Sequence, residues 1–266
     1  MDKLALSKKI KIFINLLSQF YQTLEFFFRF AKPRITRPNI VDDEFHFNAF
    51  EPQDSLTLEV DRCIRDSLDG QLMPFSIRIL QGMSGQRFRA LLNKLTQIQI
   101  SGSYLEIGTF KGSTACSALY QNKRSAILVD NWSEFGGPKM TAFTNLRKFC
   151  PESNIQFVES TFEKFYSTPV DHKISLYFYD GGHSFEEQRM AVTLIDSLHF
   201  DYLIFVVDDF SWKTVKSGTI EGLKSLKSTI VKSWTIYPSN NDKLFRYGEW
   251  HNGYFISLIS KKDELE

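Results

Sequence analysis

Two short stretches put acids and an imidazole where chemistry could be done. Residues 177–186 read YFYDGGHSFE, with Asp180 and His183 three positions apart and two glycines between them; residues 206–210 read VVDDF, with Asp208 and Asp209 adjacent at the end of another apolar run. Carboxylates brought together repel one another unless a hard cation neutralises them, and magnesium prefers oxygen ligands while leaving sites for water or substrate. An imidazole titrates near neutrality, which suits His183 to proton transfer. A purely structural alternative exists: Asp180 and His183 forming a hydrogen-bonded turn, with the acidic pair capping a helix.

A second constellation lies upstream, in YLEIGTFKGST (residues 104–114). Gly108 allows a sharp turn and leaves room for a ligand against the backbone. Gly112, Ser113 and Thr114 then open a helix whose free N–H groups face the same space. The spacing is ExGxxxG, without the third glycine of GxGxxG, so a dinucleotide site is the weaker reading. Asp130 ends the next apolar run, where a carboxylate can accept two hydrogen bonds from a ribose diol. Glu106 as a helix cap and Asp130 as a turn residue are the structural alternatives.

The elements that must position these residues follow from the alternation of apolar runs with amphipathic stretches beyond Gly102, the pattern of a parallel sheet covered by helices on both faces. Strands are expected at 103–108, 126–130, 155–159, 174–180 and 202–209, followed by SWTIYP (233–238) and YFISLIS (254–260) as a closing hairpin. That makes an α/β, Rossmann-like fold with a mostly parallel seven-stranded sheet and an antiparallel C-terminal hairpin strand. In an open parallel sheet, ligands bind beyond the carboxyl ends of the strands. Those ends collect Glu106, Gly108, Asp130, Asn131, Glu159, Ser160, Asp180, His183, Asp208 and Asp209.

The chain of 266 residues is 42% hydrophobic and 24% charged with a net charge of +1. No global field draws nucleic acid to it. Its three cysteines, Cys63, Cys116 and Cys150, are far apart and in no CxxC pair, which argues against a disulfide framework or a zinc site and for a reducing, cytoplasmic setting. Before Pro33, Leu6, Ile10, Phe13, Leu17, Phe20, Leu24 and Phe27 recur at helical spacing, interrupted too often by polar residues to span a membrane. This stripe is expected to pack on its own catalytic domain or a partner subunit; peripheral membrane contact is open but less favoured, and so is self-association. Residues 1–75 are accordingly expected to form a helical extension, linker and cap, and 76–266 the catalytic domain. The histidines His46, His172, His199 and His251 stand apart, with no ligand spacing.

With these motifs the sequence resembles the class I S-adenosylmethionine-dependent methyltransferases over about residues 80–260, in particular the metal-dependent macrocin-type O-methyltransferase group (methyltransferase family 24-like). The resemblance implies that Glu106, Gly108, Thr109, Gly112, Ser113 and Thr114 hold the methionine part of S-adenosyl-L-methionine, Asp130 and Asn131 the ribose, and that Ser160 and Thr161 lie near the adenine. It further implies that Asp180, Asp208 and Asp209 bind Mg²⁺ and that His183, with Asp180, is catalytic. The expected reaction is O-methylation of a hydroxylated small molecule, a sugar or a glycosylated metabolite. Two other readings stay open: a metal-dependent hydroxylase-like enzyme on the same fold, and a non-catalytic cofactor-binding or assembly protein.

Overall fold

The computed structural model describes residues 38–45, 55–239 and 249–261. The amphipathic stretch before Pro33 and residues 240–248 of the polar loop lie outside the described residues. Eight strands form one sheet: β1 (Asn39–Asp42), β2 (Ser103–Ile107), β3 (Ala126–Asp130), β4 (Ile155–Glu159), β5 (Ile174–Tyr179), β6 (Tyr202–Val207), β7 (Thr229–Tyr237) and β8 (Tyr254–Ser260). Their order is β1-β7-β8-β6-β5-β2-β3-β4. The five strands from β6 to β4 run parallel, β8 pairs antiparallel with both β6 and β7, and β1 pairs antiparallel with β7. The helices are α1 (Ser55–Asp69), α2 (Phe75–Arg78), α3 (Gln86–Gln97), α4 (Ser113–Leu119), α5 (Lys139–Phe149), α6 (Phe162–Tyr166), α7 (Phe185–Thr193) and α8 (Lys213–Ser225).

The central strands are predominantly apolar because helices cover both faces. Every residue of β5 is buried, and so is every residue of β2, Glu106 included. Alternate residues serve opposite layers. Tyr104, Leu128, Phe178 and Val206 pack with α1, α3 and α4 on one face. Leu105, Ile127, Tyr177 and Phe205 pack with α6, α7 and α8 on the other.

One correction concerns strand number: the sheet has eight strands rather than seven. The extra strand, β1, forms in NIVD, inside a segment read from sequence as linker. Four residues behind a proline are too few to show a period of two, and what holds them is tertiary. Asn39 to Asp42 register against Tyr237 to Trp234. Arg65 of α1 holds Asp42 at 2.8 Å, and Lys216 of α8 holds Glu44 at 2.9 Å. Val60 and Ile64 of α1 are fully buried in the core, so residues 38–45 and 55–69 are built into the sheet domain rather than laid over it.

The parallel ladder continues past the strand ends as a row of backbone hydrogen bonds. Ser160 N–H donates to Asp130 O (3.2 Å), Gly108 to Val129 O (2.9 Å), Asp180 to Ile107 O (2.9 Å) and Asp208 to Tyr179 O (3.1 Å). Five strands therefore deliver their terminal residues to one edge. The closest approach is at the switch point between β2 and β5, where Gly108 has φ +92° and a Cβ on it would stand 1.9 Å from the carbonyl oxygen of Asp180. Gly108→Ala must push these two strand ends apart and should cost about 3 kcal/mol or more of stability. Gly136→Ala, with φ +82° and nothing within 4 Å of the added methyl, should cost only about 1 kcal/mol. Urea unfolding of the two variants checks the difference; equal losses would mean that the crowding at Gly108 is not what demands glycine.

Candidate active site

A cavity of about 1170 Å³ opens along this edge and is lined from every strand end in the row. Of the residues picked out from sequence, Gly108, Thr109, Ser113, Thr114, Asp130, Asn131, Ser160, Thr161, Asp180, His183, Asp208 and Asp209 all line it. Glu106 and Gly112 do not. Gly112 sits behind the wall in the left-handed conformation at the N-terminus of α4. Glu106 is fully buried beneath the loop, where the Tyr104 hydroxyl donates to one carboxylate oxygen and Thr114 Oγ1 donates to the other at 2.8 Å. It braces the loop from below.

Asp130 fastens the two loops of this end together. Its Oδ2 accepts from Phe110 N–H at 2.7 Å and its Oδ1 from Trp132 N–H at 2.6 Å, while Trp132 Nε1 donates back to Phe110 O at 2.8 Å. A carboxylate has about four lone-pair positions, so two backbone bonds leave capacity for a ligand hydroxyl. Trp132 is buried, has a left-handed φ of 47°, and stands edge-on to Phe143.

At the other end the acids converge. Two sets of ligand-capable groups occur among the described residues, Asp180 with His183 and Asp209, and Asp208 with Asp209 and His251; within each, the candidate ligand atoms lie within 4.8 Å of one another. Asp209 is the shared member. Its carboxylate meets His183 Nε2 at 2.8 Å, Asn252 Nδ2 at 2.6 Å and His251 Nδ1 at 3.5 Å, and its own N–H donates to Asp208 Oδ1 at 2.7 Å. Asp209 and His251 both hold left-handed backbone conformations, φ 54° and 46°. Such strain at non-glycine residues persists only where the surroundings impose it. Here the imposing contacts are Phe210 N–H to Gly253 O (3.1 Å) and Ser211 N–H to Asn252 O (2.9 Å), which lash the two turns together.

The charges respond to this crowding. Burial, and then the charges of Asp208 and Asp209, push the Asp180 carboxyl well above the ordinary carboxylate range. Burial and then Asp209 do the same to Asp208. Burial also works to raise Asp209, but hydrogen bonds from His183 and Asn252 outweigh it and hold that carboxyl below its ordinary value. The hydrogen bond to Asp209 raises His183 above an ordinary imidazole, against the effect of its burial. The His183 ring also packs against Trp212, centroids 4.8 Å apart.

His251 and Asn252 were not legible as site residues from spacing. The signal that finds them is topological: β8 runs antiparallel beside β6, with Phe255 opposite Val207, so the residues just before β8 must meet the acids just after β6.

A family model described as a methyltransferase domain matches residues 105–210, which carry Glu106, Asp130, Asp180, Asp208 and Asp209. Over these residues the chain is similar to a methyltransferase domain, and its sheet has the Rossmann-like α/β order. A solved protein from Corynebacterium glutamicum shares 14% identity, with 82% of this chain and 95% of that one covered and a TM-score of 0.50. The S-adenosylhomocysteine-bound methyltransferase PaMTH1 of Podospora anserina shares 12% identity (81% and 100% covered, TM-score 0.48). The O-methyltransferase TomG of Streptomyces achromogenes, involved in tomaymycin synthesis and solved with S-adenosylmethionine, shares 14% (81% and 94% covered, TM-score 0.48). No curated protein matches the chain. No helix among the described residues is long and apolar enough to cross a membrane.

The buried Glu106 provides a stability test. Burial pushes its carboxyl up to about 8, despite the hydrogen bonds from Tyr104 and Thr114. The folded state thus keeps a proton that the unfolded chain releases near 4.5. Stability should fall as pH rises from about 4.5 and level off above about 8, a loss of a few kcal/mol. In Glu106→Gln that loss is absent, so its melting temperature should gain on the parent across this window and by a constant margin above it. A pH-independent difference would contradict a protonated Glu106.

Proposed function

We propose that the protein is an S-adenosylmethionine-dependent O-methyltransferase acting on a hydroxylated small molecule, a sugar or a glycosylated metabolite. The observation that carries this reading is that one cavity joins the Gly108 and Asp130 loops to a cluster of three carboxylates and His183. At the first end, Gly108, Thr109, Ser113 and Thr114 offer backbone and hydroxyl groups for an amino-acid moiety, Asp130 and Asn131 face a ribose, and Ser160 and Thr161 border the place for a base. Glu106, with Gly112, supports that end from beneath. When bound, S-adenosylmethionine supplies the methyl group.

The acidic cluster fits a divalent cation. Burial and mutual repulsion push the Asp180 and Asp208 carboxyls up, and a bound Mg²⁺ would relieve both. Asp180, Asp208 and Asp209 would hold it, with His251 at the edge of the same set, and the ion would supply a Lewis acid that lowers the pKa of an acceptor hydroxyl. His183 moves the proton. With Nε2 turned to Asp209, Nδ1 is the nitrogen left to accept. In the transfer the acceptor O–H proton passes to His183, the oxygen's electron pair forms the new O–CH₃ bond, and the S–CH₃ bond electrons remain on sulfur as the thioether.

The three cysteines are free, two of them buried, which supports a reducing, cytoplasmic setting. We also propose self-association and no nucleic-acid partner. Replacing His183 with Ala should lower turnover by about 10²- to 10⁴-fold while leaving cofactor affinity within about threefold. Methyl transfer from labelled S-adenosylmethionine and calorimetry on the same preparations check both; unchanged turnover rules out the assignment of the base.

A further inference from the structure

The cavity is larger than the roughly 300–1,000 Å³ common for one ligand, so an acceptor can share it with the cofactor. Its mouth has a chemical character that the transfer chemistry does not require. Among the described residues, seven acidic side chains line the cavity and no lysine or arginine does. Two lysines near the cavity are engaged elsewhere: Lys139 pairs with Glu159, and Lys111 donates to Gln81 at 2.9 Å.

The acids at the mouth are separate from the buried trio. Glu134 lies on the loop after β3 and Glu187 in the first turn of α7, and both are within electrostatic reach of His183. Glu187 is committed to Ser184, accepting its N–H at 3.2 Å and its hydroxyl at 2.5 Å. The exposed Glu134 carboxylate makes no hydrogen bond or ion pair among the described residues. Two large aromatic side chains stand exposed at the same mouth, Trp212 at 44% and Phe135 at 65%. Exposed apolar rings beside unpaired carboxylates attract a cation through the ring face and the charge together.

We propose that the acceptor carries an ammonium group as well as its hydroxyl, and that Glu134 with the faces of Trp212 and Phe135 recognises it. The same acids disfavour phosphorylated and carboxylated acceptors, which meet no lysine or arginine among the described lining residues. This inference rests on the methyl-transfer reading for the cavity's purpose, but the charge preference is measurable without turnover.

The test is calorimetric titration of the full chain, with S-adenosylhomocysteine and Mg²⁺ present, using three matched diols that differ in charge: dopamine, N-acetyldopamine and 3,4-dihydroxyphenylacetate. Dopamine should bind about tenfold or more tightly than the neutral diol, and the anion most weakly. In Glu134→Gln the cation's advantage should fall below about threefold, while in Glu152→Gln, whose carboxylate pairs with Lys123 away from the cavity, it should persist. Equal or tighter binding of the neutral or anionic diol would overturn the inference, as would an advantage that survives Glu134→Gln or a failure of dopamine to bind at millimolar concentration. A parallel titration with S-adenosylmethionine separates the two readings: cofactor binding with an anionic preference sinks only this one, and absence of cofactor binding sinks the transfer reading.

Discussion

Two carboxyl groups forced side by side set the terms for the rest of the site. The register of β5 against β6 pairs Tyr179 with Val207, so Asp180 and Asp208 leave the sheet together, and the backbone bond from Asp208 N–H to Tyr179 O keeps them there. Their backbones cannot separate without breaking the ladder that the core of both layers depends on. The surrounding elements direct their donors to the next acid, Asp209: the turn before α7 supplies His183, and the turn before β8 supplies His251 and Asn252.

The other end of the cavity obeys a different constraint, the need to hold two loops open and in place. Asp130 does this with two backbone hydrogen bonds, one into each loop, and Glu106 does it from beneath through Thr114. A buried acid is expensive unless it is hydrogen-bonded or protonated. Glu106 is both hydrogen-bonded and shifted toward its protonated form, which is how a carboxyl comes to be tolerated in the middle of a fully buried strand.

Most of the framework was legible in the sequence because parallel strands buried on two faces must be apolar runs, and ILVD, SLYFYD and LIFVVDD announce both their burial and the acids that end them. The polar row along the edge followed from that list alone. What escaped had no local signature. β1 is four residues held by partners 23 and 172 positions away, Arg65 and Lys216, and its pairing is decided by β7 rather than by its own pattern. His251 and Asn252 escaped because their role depends on the register of an antiparallel neighbour, and Glu106 looked like a wall residue because strand alternation alone does not say which face the ligand occupies. Its neighbours in the same layer, Tyr104 and Phe178, settle that it faces α4 and the core.

The three aspartates are not equivalent, and the difference is built by neutral and cationic donors rather than by depth. Asp208 and Asp209 are both buried, at 3% and 5% exposure, yet one is pushed up and the other held down. Asp209 alone receives His183 and Asn252, which hold its carboxyl low, and its charge is part of what pushes Asp180 and Asp208 up. Loss of Asn252 would weaken Asp209's hold on charge and relax its neighbours with it. The turn at residues 251–253 thus governs the electrostatics of acids that belong to two other strands, and the strained backbone of Asp209 and His251 is the cost of bringing that turn within reach.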